Sequence, residues 1–373
     1  MSKTLNQIAL QLRESPKKVQ LIYAFNGTGK TRLSREFKDL IAPKEDGEEV
    51  QQSTLAQKKI LYYSAFTEDL FYWDNDLTLD AEPKLIIQPN SFTKWVLEEQ
   101  GQDQNITATF QHYTNEKLTP HFSPDFYKVS FSFERGNNQQ EPNIKISKGE
   151  ENNFIWSVFY SLIEQMISEL NIAEVESRST DVFNNLEYVF VDDPVSSLDE
   201  NHLIELAVSL SALIKSCTSN IKFIVSTHNP LFYNVLYSEL GAKSGSILKR
   251  KEDGSFDLEE KKGDSNQSFS YHLHLRQTLE QAIAENRVQK YHFTLLRNLY
   301  EKTATFLGYP RWSELLPDDK QAYLNRVIQF TSHSTLSNEA VAEPTAQEKQ
   351  TVKFLLDHLL ANYAYWQPVS NPA

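Results

Sequence analysis

The stretch Ala24-Phe25-Asn26-Gly27-Thr28-Gly29-Lys30-Thr31 follows the apolar run Val19-Gln20-Leu21-Ile22-Tyr23 and precedes a helix-like segment. A strand, a glycine loop and a helix start make a cradle for phosphate. Gly27 and Gly29 let backbone N–H groups approach an anion, Lys30 brings a point charge to the β- and γ-phosphates, and Thr31 offers a hydroxyl to Mg²⁺. Asn26, Thr28 and Arg32 complete the expected nucleotide contacts. Ala24 stands where the general pattern has glycine, and a glycine turn before a surface helix is the rival reading of the segment taken alone.

Two carboxylates end another apolar run, Tyr188-Val189-Phe190-Val191-Asp192-Asp193. At the C-terminal end of a parallel strand beside the cradle, Asp192 is expected to hold Mg²⁺ through its water. Asp193 is expected to polarise the attacking water, as general base or by orientation. The run Pro194-Val195-Ser196-Ser197-Leu198-Asp199 follows directly, and Ser226-Thr227-His228 ends the next apolar run. Upstream, Ile146-Ser147-Lys148-Gly149-Glu150-Glu151 precedes an apolar helix. Singly, His228 also reads as a satisfied strand-end histidine, and Ser147 with Gly149 as a helix cap.

The elements that must position these residues follow from periodicity. An amphipathic helix is expected over 2–18, and another from the cradle to Leu40. Strands are expected at 59–63, 126–133, 188–191 and 221–226, with helices at 154–171 and 202–215. The aromatic stretch Phe71-Tyr72-Trp73 reads as an insertion packed on the core. Residues 41–57 read as a solvated loop, 137–143 as a polar turn, and 243–264 as a hairpin or loop closing the domain. Strand–helix–strand alternation predicts a doubly wound α/β domain. Beyond it the pattern turns helical at 270–285, 287–307, 317–331 and 347–363, with a break at Gly308-Tyr309-Pro310. The expected organisation is an NTPase domain over 1–264, with insertions in 41–145, and an all-helical domain over 265–373.

The chain has 373 residues and a net charge of −13. Residues from Ser265 onward carry ten Lys/Arg and ten Asp/Glu, so the acidity sits in the first two-thirds. Such a chain is not expected to coat nucleic acid non-specifically. A single cysteine, Cys217, excludes a disulfide framework. The lack of a secretory signal and the short apolar stretch 154–167 lead to the expectation of a cytoplasmic protein without membrane association.

In the helical part, Arg297 and Glu301 are four residues apart and share a helix face, which by spacing alone describes a surface ion pair. His333 lies at or just beyond the end of a helix, and Arg326 precedes it by about two turns. A lone histidine there also reads as a cap. His272 and His274 alternate without a third ligand, and Asp264 lies in a turn where an Asx cap is the simpler reading.

In order and spacing, the cradle, Ser147-Lys148-Gly149-Glu150, Asp192-Asp193, the Ser-Leu-Asp loop and His228 resemble an ABC-type ATPase head of the recombination and chromosome-maintenance kind. The resemblance implies that Ser147, Gly149 and Glu150 of one protomer meet the γ-phosphate held by another. His228 would sense that phosphate, and a head-to-tail homo-oligomer is implied. Lys148 replaces the usual Gly and Asp193 the usual Glu, which leads to the expectation of slow hydrolysis or an unusual nucleotide preference. Roughly 115 residues separate the cradle from Ser147, too few for a long coiled coil.

Over its whole length, through Leu21–Arg35, Phe66–Leu77, Tyr188–Leu206, Gly263–Leu275 and Tyr291–Gly308, the chain resembles the PrrC family of phage-responsive anticodon nucleases. The resemblance implies GTP or ATP with Mg²⁺ in the first domain, and dTTP as a possible regulatory ligand. It implies cleavage of tRNA(Lys) beside the wobble base by the second domain. Arg297, Glu301 and His333 fall on the family's catalytic pattern, and Arg326 with His333 on the similar HEPN ribonuclease pattern. Asp264 falls in the substrate-recognition region. The implied cleavage needs no metal and leaves a 2′,3′-cyclic phosphate and a 5′-hydroxyl. Implied partners are a type I restriction–modification complex that holds the enzyme latent and a phage-encoded inducer peptide. The alternative is an ABC-like ATPase of DNA repair or maintenance with a non-catalytic helical module.

Overall fold

The computed structural model describes residues 3–43, 59–64, 71–74, 83–87, 97–98, 100–135, 139–195, 200–242, 244–251, 253–262, 271–332, 344–363 and 365. The chain divides into two compact units, Met1–Ser268 and Phe269–Ala373.

The first unit is built on a six-stranded sheet. Its strands are β1 (Val19–Ala24), β2 (Ile60–Ser64), β8 (Tyr188–Asp192), β9 (Lys222–Thr227), β10 (Ser244–Arg250) and β11 (Phe256–Lys262). They lie in the order β11-β10-β1-β9-β8-β2, parallel throughout except for the antiparallel edge pair β10–β11. Strands buried on both faces need side chains of both parities to be apolar, as Leu21, Ile22 and Tyr23 show in β1. Helices α1 (Leu5–Glu14) and α2 (Lys30–Ile41) cover one face, with Ile8, Leu12, Leu33 and Phe37 packed on Ile22, Phe190 and Ile224. On β2, Tyr63 packs edge-on against Trp156 and Phe159 of the 23-residue helix α4 (Lys148–Leu170). Helices α5 (Glu200–Ser216) and α6 (Pro230–Glu239) link β8 to β9 and β9 to β10.

A second, antiparallel sheet holds β3 (Phe71–Asp74), β4 (Lys84–Ile87), β5 (Leu118–Phe122) and β6 (Lys128–Arg135), with β7 (Gln139–Glu141) on the free side of β6. Helix α3 (Asp103–Tyr113) precedes β5. Phe154 of α4 is the hub of this packing: it is fully buried and touches Phe71, Phe122 and Phe131 of the sheet and Phe110 of α3 at centroid distances of 5.4–5.9 Å.

Several elements depart from expectation. The opening helix is Leu5–Glu14, shorter than 2–18, because Thr4 and Gln7 form a capping box at its start. The aromatic stretch at 71–73 packs on the core through Phe71 as expected, but does so as a strand paired with β4. Within the expected polar turn, 139–141 pairs with β6, and Arg135 meets Glu141 at 2.5 Å. The closing hairpin forms, yet β10 lies directly beside β1 and is part of the six-stranded sheet, because Ile247 and Leu248 bury into it. The strand bearing Asp192 is not beside β1: β9 runs between them.

The second unit's described elements are helical: α7 (Tyr271–Ala284), α8 (Lys290–Leu307), a 3₁₀ turn at Trp312–Leu315, α9 (Lys320–Ser332) and α10 (Ala346–Asn362). Leu279, Phe293, Leu296, Leu299, Leu355 and Leu359 form its core. The Tyr300 hydroxyl donates to the Leu355 carbonyl at 2.8 Å and ties α8 to α10. Among the described residues no helix is long and apolar enough to cross a membrane.

Removing the Phe154 ring would leave a cavity bounded by four other rings. Phe154→Ala is expected to lower stability by about 3–5 kcal/mol in urea unfolding, whereas Phe154→Leu, which keeps most of the volume, is expected to lose less than half as much.

Candidate functional site

The cradle is formed as the sequence demands. Gly27 and Gly29 have φ of 80° and 93°, a region that glycine enters without strain. Thr28 closes the turn by donating its N–H and its hydroxyl to the Phe25 carbonyl. No side chain caps α2, so its first-turn N–H groups face the position where an anion is favoured. A Cβ at Gly29 would lie 3.0 Å from the Phe256 ring of β11.

Lys30, Asp192, Asp193 and His228 converge at the C-terminal ends of the parallel strands. Lys30 is buried and forms an ion pair with Asp193. His228 Nδ1 lies 2.5 Å from the same carboxylate, and Thr227 donates its hydroxyl to Asp193 Oδ1 at 3.1 Å. Asp193 has φ of 57°, an uncommon conformation for a residue with a Cβ. It is held there by the bond from its own N–H to the Ser226 carbonyl at 2.8 Å. Burial raises the pKa of Asp193, but the His228 hydrogen bond and the Lys30 ammonium together outweigh it and hold the carboxyl below its ordinary value. Asp192 goes the other way. Burial pushes its pKa up, only partly offset by the Ser226 hydroxyl, which donates to Oδ1 at 2.5 Å, and by Lys30.

Residues the sequence reading passed over complete the arrangement. Ser34 Oγ lies 3.2 Å from Asp192 Oδ2 and 2.9 Å from the Tyr62 hydroxyl. Ser34 is four residues after Lys30 and so shares its helix face, a spacing that could have flagged it. Tyr62 carried no local signal, because its place beside Ser34 comes from strand pairing alone. Ser226 and Thr227 had been read only as the end of a strand. Both carboxylate oxygens of Asp192 face neutral hydroxyls, oxygen chemistry that suits a hard cation, and Thr31 occupies the first turn of α2.

Ser147, Gly149 and Glu150 stand at the start of α4, and among the described residues no hydrogen bond or ion pair joins them to the cradle. Ser147 is the N-cap: it accepts the Glu150 N–H at 3.3 Å and donates its own N–H to Glu150 Oε2 at 2.7 Å. Accepting this bond leaves the hydroxyl proton of Ser147 available to a ligand. Lys148 pairs with Glu151 at 2.7 Å, and Trp73 Nε1 donates to the same carboxylate. The loop 196–199 and Asp264 lie outside the described residues.

In the helical unit, Arg297 Nε meets Glu301 Oε1 at 2.7 Å, with both side chains about a third exposed. Arg326 belongs to α9, but its side chain lies outside the described residues, as does all of His333. His272 is exposed on α7. Among the described residues no group of three or more His, Cys, Asp or Glu is placed to hold a metal ion.

The chain is 64% identical to an anticodon nuclease of Escherichia coli, over 98% of each chain. It belongs to the anticodon nuclease family. No protein-family model matches the sequence. Solved structures with weak likeness include an SMC head bound to the C-winged helix domain of ScpA (10% identity, 68% of this chain and 93% of that one, TM-score 0.36). An SMC head domain from Thermotoga maritima is another (11% identity, 66% and 90%, TM-score 0.30). Family membership covers both units, so the buried carboxylates of the first and the Arg297–Glu301 pair of the second belong to one enzyme family.

Two measurements check the site. Gly29→Ala forces a side chain into a left-handed backbone and against Phe256, and is expected to abolish binding of a fluorescent nucleotide while leaving the far-UV circular dichroism unchanged. The lowered pKa of Asp193 means that its ionised form is favoured by folding. Its contribution to stability is therefore present above the unfolded value of 3.8 and lost as pH falls through the folded value. In urea unfolding, Asp193→Asn is expected to be less stable than the parent at about pH 7, with the difference closing below about pH 4.

Proposed function

We propose that this protein is a nucleotide-gated anticodon nuclease that cleaves tRNA(Lys) next to the wobble base. The observation that carries the reading is the identity with the Escherichia coli anticodon nuclease over nearly the whole of both chains. In this reading the first unit is an ABC-type head. Lys30 and the α2 N-terminus hold the triphosphate of GTP or ATP, Thr31 and Asp192 hold Mg²⁺, and Asp193 with His228 orients the attacking water. When bound, the ion neutralises charge on the β- and γ-phosphates. A triphosphate that takes Lys30 removes the cation now paired with Asp193, so substrate binding and freeing of the carboxylate are one event. Ser147 and Glu150 of a second protomer complete the site in a head-to-tail pair.

RNA cleavage without a metal needs a base on the ribose 2′-hydroxyl, an acid at the leaving 5′-oxygen and a cation on the phosphorane. Glu301 and His333 divide the proton work, and Arg297, with Arg326 as a second candidate, stabilises the added charge through planar donors. The Arg297–Glu301 bond supports this by holding the guanidinium and the carboxylate side by side on one helix face. The products are a 2′,3′-cyclic phosphate and a 5′-hydroxyl. Asp264 meets a basic group on the wobble base. dTTP stabilises the active form, and a type I restriction–modification complex holds the enzyme silent until a phage peptide intervenes.

Induced expression followed by analysis of extracted tRNA tests the reading. Nicks in the anticodon loop of tRNA(Lys) are expected for the parent. Arg297→Ala, Glu301→Gln and His333→Ala are each expected to lower cleavage by a factor of about 10² or more while leaving nucleotide binding unchanged. Intact tRNA in cells expressing the parent, in the absence of any restriction complex, would count against the assignment.

A further inference from the structure

The C-terminal end of α8 carries a group of rings that the packing of the helical unit does not account for. Phe306 is 89% exposed, and Tyr309 is 41% exposed. Gly308, at φ of 78°, ends the helix in the left-handed conformation and turns the chain so that the Tyr309 N–H bonds back to the Ala304 carbonyl at 2.9 Å. Tyr309 is held edge-on to Tyr363 beyond α10, with centroids 6.2 Å apart, and the ring of His358 lies 6.3 Å from Tyr363. The neighbouring Tyr365 is fixed by a 2.6 Å hydroxyl contact with Thr303. Tyr363 and Tyr365 pack partly against the core of the unit, and Phe306 and Tyr309 present their rings to water at the helix end. Two exposed cations, Lys302 and Arg311, lie four residues before Phe306 and two after Tyr309 in the chain, and neither has an ion-pair partner among the described residues.

We infer that this surface stacks the unpaired bases of the RNA substrate. The inference rests on the anticodon-nuclease reading and adds a binding surface to it. Three observations favour bases over another protein face. Tyr309 is an amphipathic ring that stays wet in the unbound protein, and Tyr363 and His358 back it with further amphipathic rings. The surface caps a helix C-terminus, whose partial negative charge disfavours phosphate and leaves the flat faces of bases as the suitable partner. The unpaired cations lie to the side, where a sugar–phosphate backbone would run. Phe306 lies nine residues after Arg297, half-way round α8 and about 13 Å along its axis. A strand with its scissile phosphate at the Arg297–Glu301 pair would pass over the end of the helix and lay its bases on the rings, as splayed loops do on aromatic platforms.

The test uses the full-length protein carrying Glu301→Gln, which keeps RNA intact, and an RNA hairpin with the tRNA(Lys) anticodon loop that contains 2-aminopurine. Stacking on a ring quenches its fluorescence. We expect quenching with the Glu301→Gln protein. Adding Phe306→Ala or Tyr309→Ala is expected to weaken binding by about tenfold, within the range measured for one base–ring stack. Phe306→Trp should restore it, and Arg311→Ala should weaken it with a reduced salt dependence. Equal quenching and affinity in all variants, or no quenching by the Glu301→Gln protein, would overturn the inference. A change confined to sedimentation, with RNA affinity unmoved, would also overturn it and assign the rings to a protein contact. Cleavage of the unmodified hairpin by the parent is measured separately. Cleavage with parental KM in the Phe306 and Tyr309 variants would leave the nuclease reading standing and remove the platform alone.

Discussion

One buried ammonium faces two adjacent buried carboxylates, and the cluster at the strand ends is organised around that imbalance. Lys30 cannot neutralise both Asp192 and Asp193. The fold gives it to Asp193, adds His228 and Thr227 to the same carboxylate, and leaves Asp192 to serine hydroxyls. An isolated charge in such surroundings costs several kcal/mol, so each partner of Lys30 is held by the loss that would follow its departure. The sheet order follows from the same need. With β9 between β1 and β8, the ends of three strands present the lysine, the hydroxyls with the histidine, and the carboxylates in a single row.

Much of this was readable beforehand because the cradle and the carboxylate strand are local patterns. Glycine spacing, an apolar run and a terminal acid depend on a few consecutive residues, and each element appears within a few residues of its expected place. What escaped was non-local. Tyr62 reaches Ser34 only because β2 pairs with β8, and no property of its own segment says so. The place of β10 beside β1 could not be inferred from a segment whose ends are rich in lysine and glutamate; the buried Ile247 and Leu248 decide it. Of the proposed cleavage residues, Arg297 and Glu301 could be joined from i,i+4 spacing, and they are joined. His333 stood out only by its place at a helix end two turns after Arg326, and its catalytic role came from the family resemblance, since a single histidine after a helix has no pattern of its own.

The two units reach stability by different means. The first relies on strands buried on both faces and on Phe154 as the common neighbour of four other rings. The second interleaves leucines from α7, α8 and α10 and crosses them with one buried hydroxyl bond from Tyr300. Tyrosine serves opposite ends in the helical unit. Tyr300 is sealed inside, with its pKa raised by burial, while Tyr309 is turned outward by a glycine cap.

The contact of Gly29 with Phe256 has a mechanical meaning. Phe256 opens the last strand of the first unit, and that strand ends at Lys262, shortly before the second unit begins at Phe269. The glycine is packed against this ring so closely that a methyl group would lie 3.0 Å from it and the ring would have to give. Dense interiors pass displacement on rather than absorb it. Any movement of the glycine loop is therefore passed first to the strand with which the described part of the first unit ends.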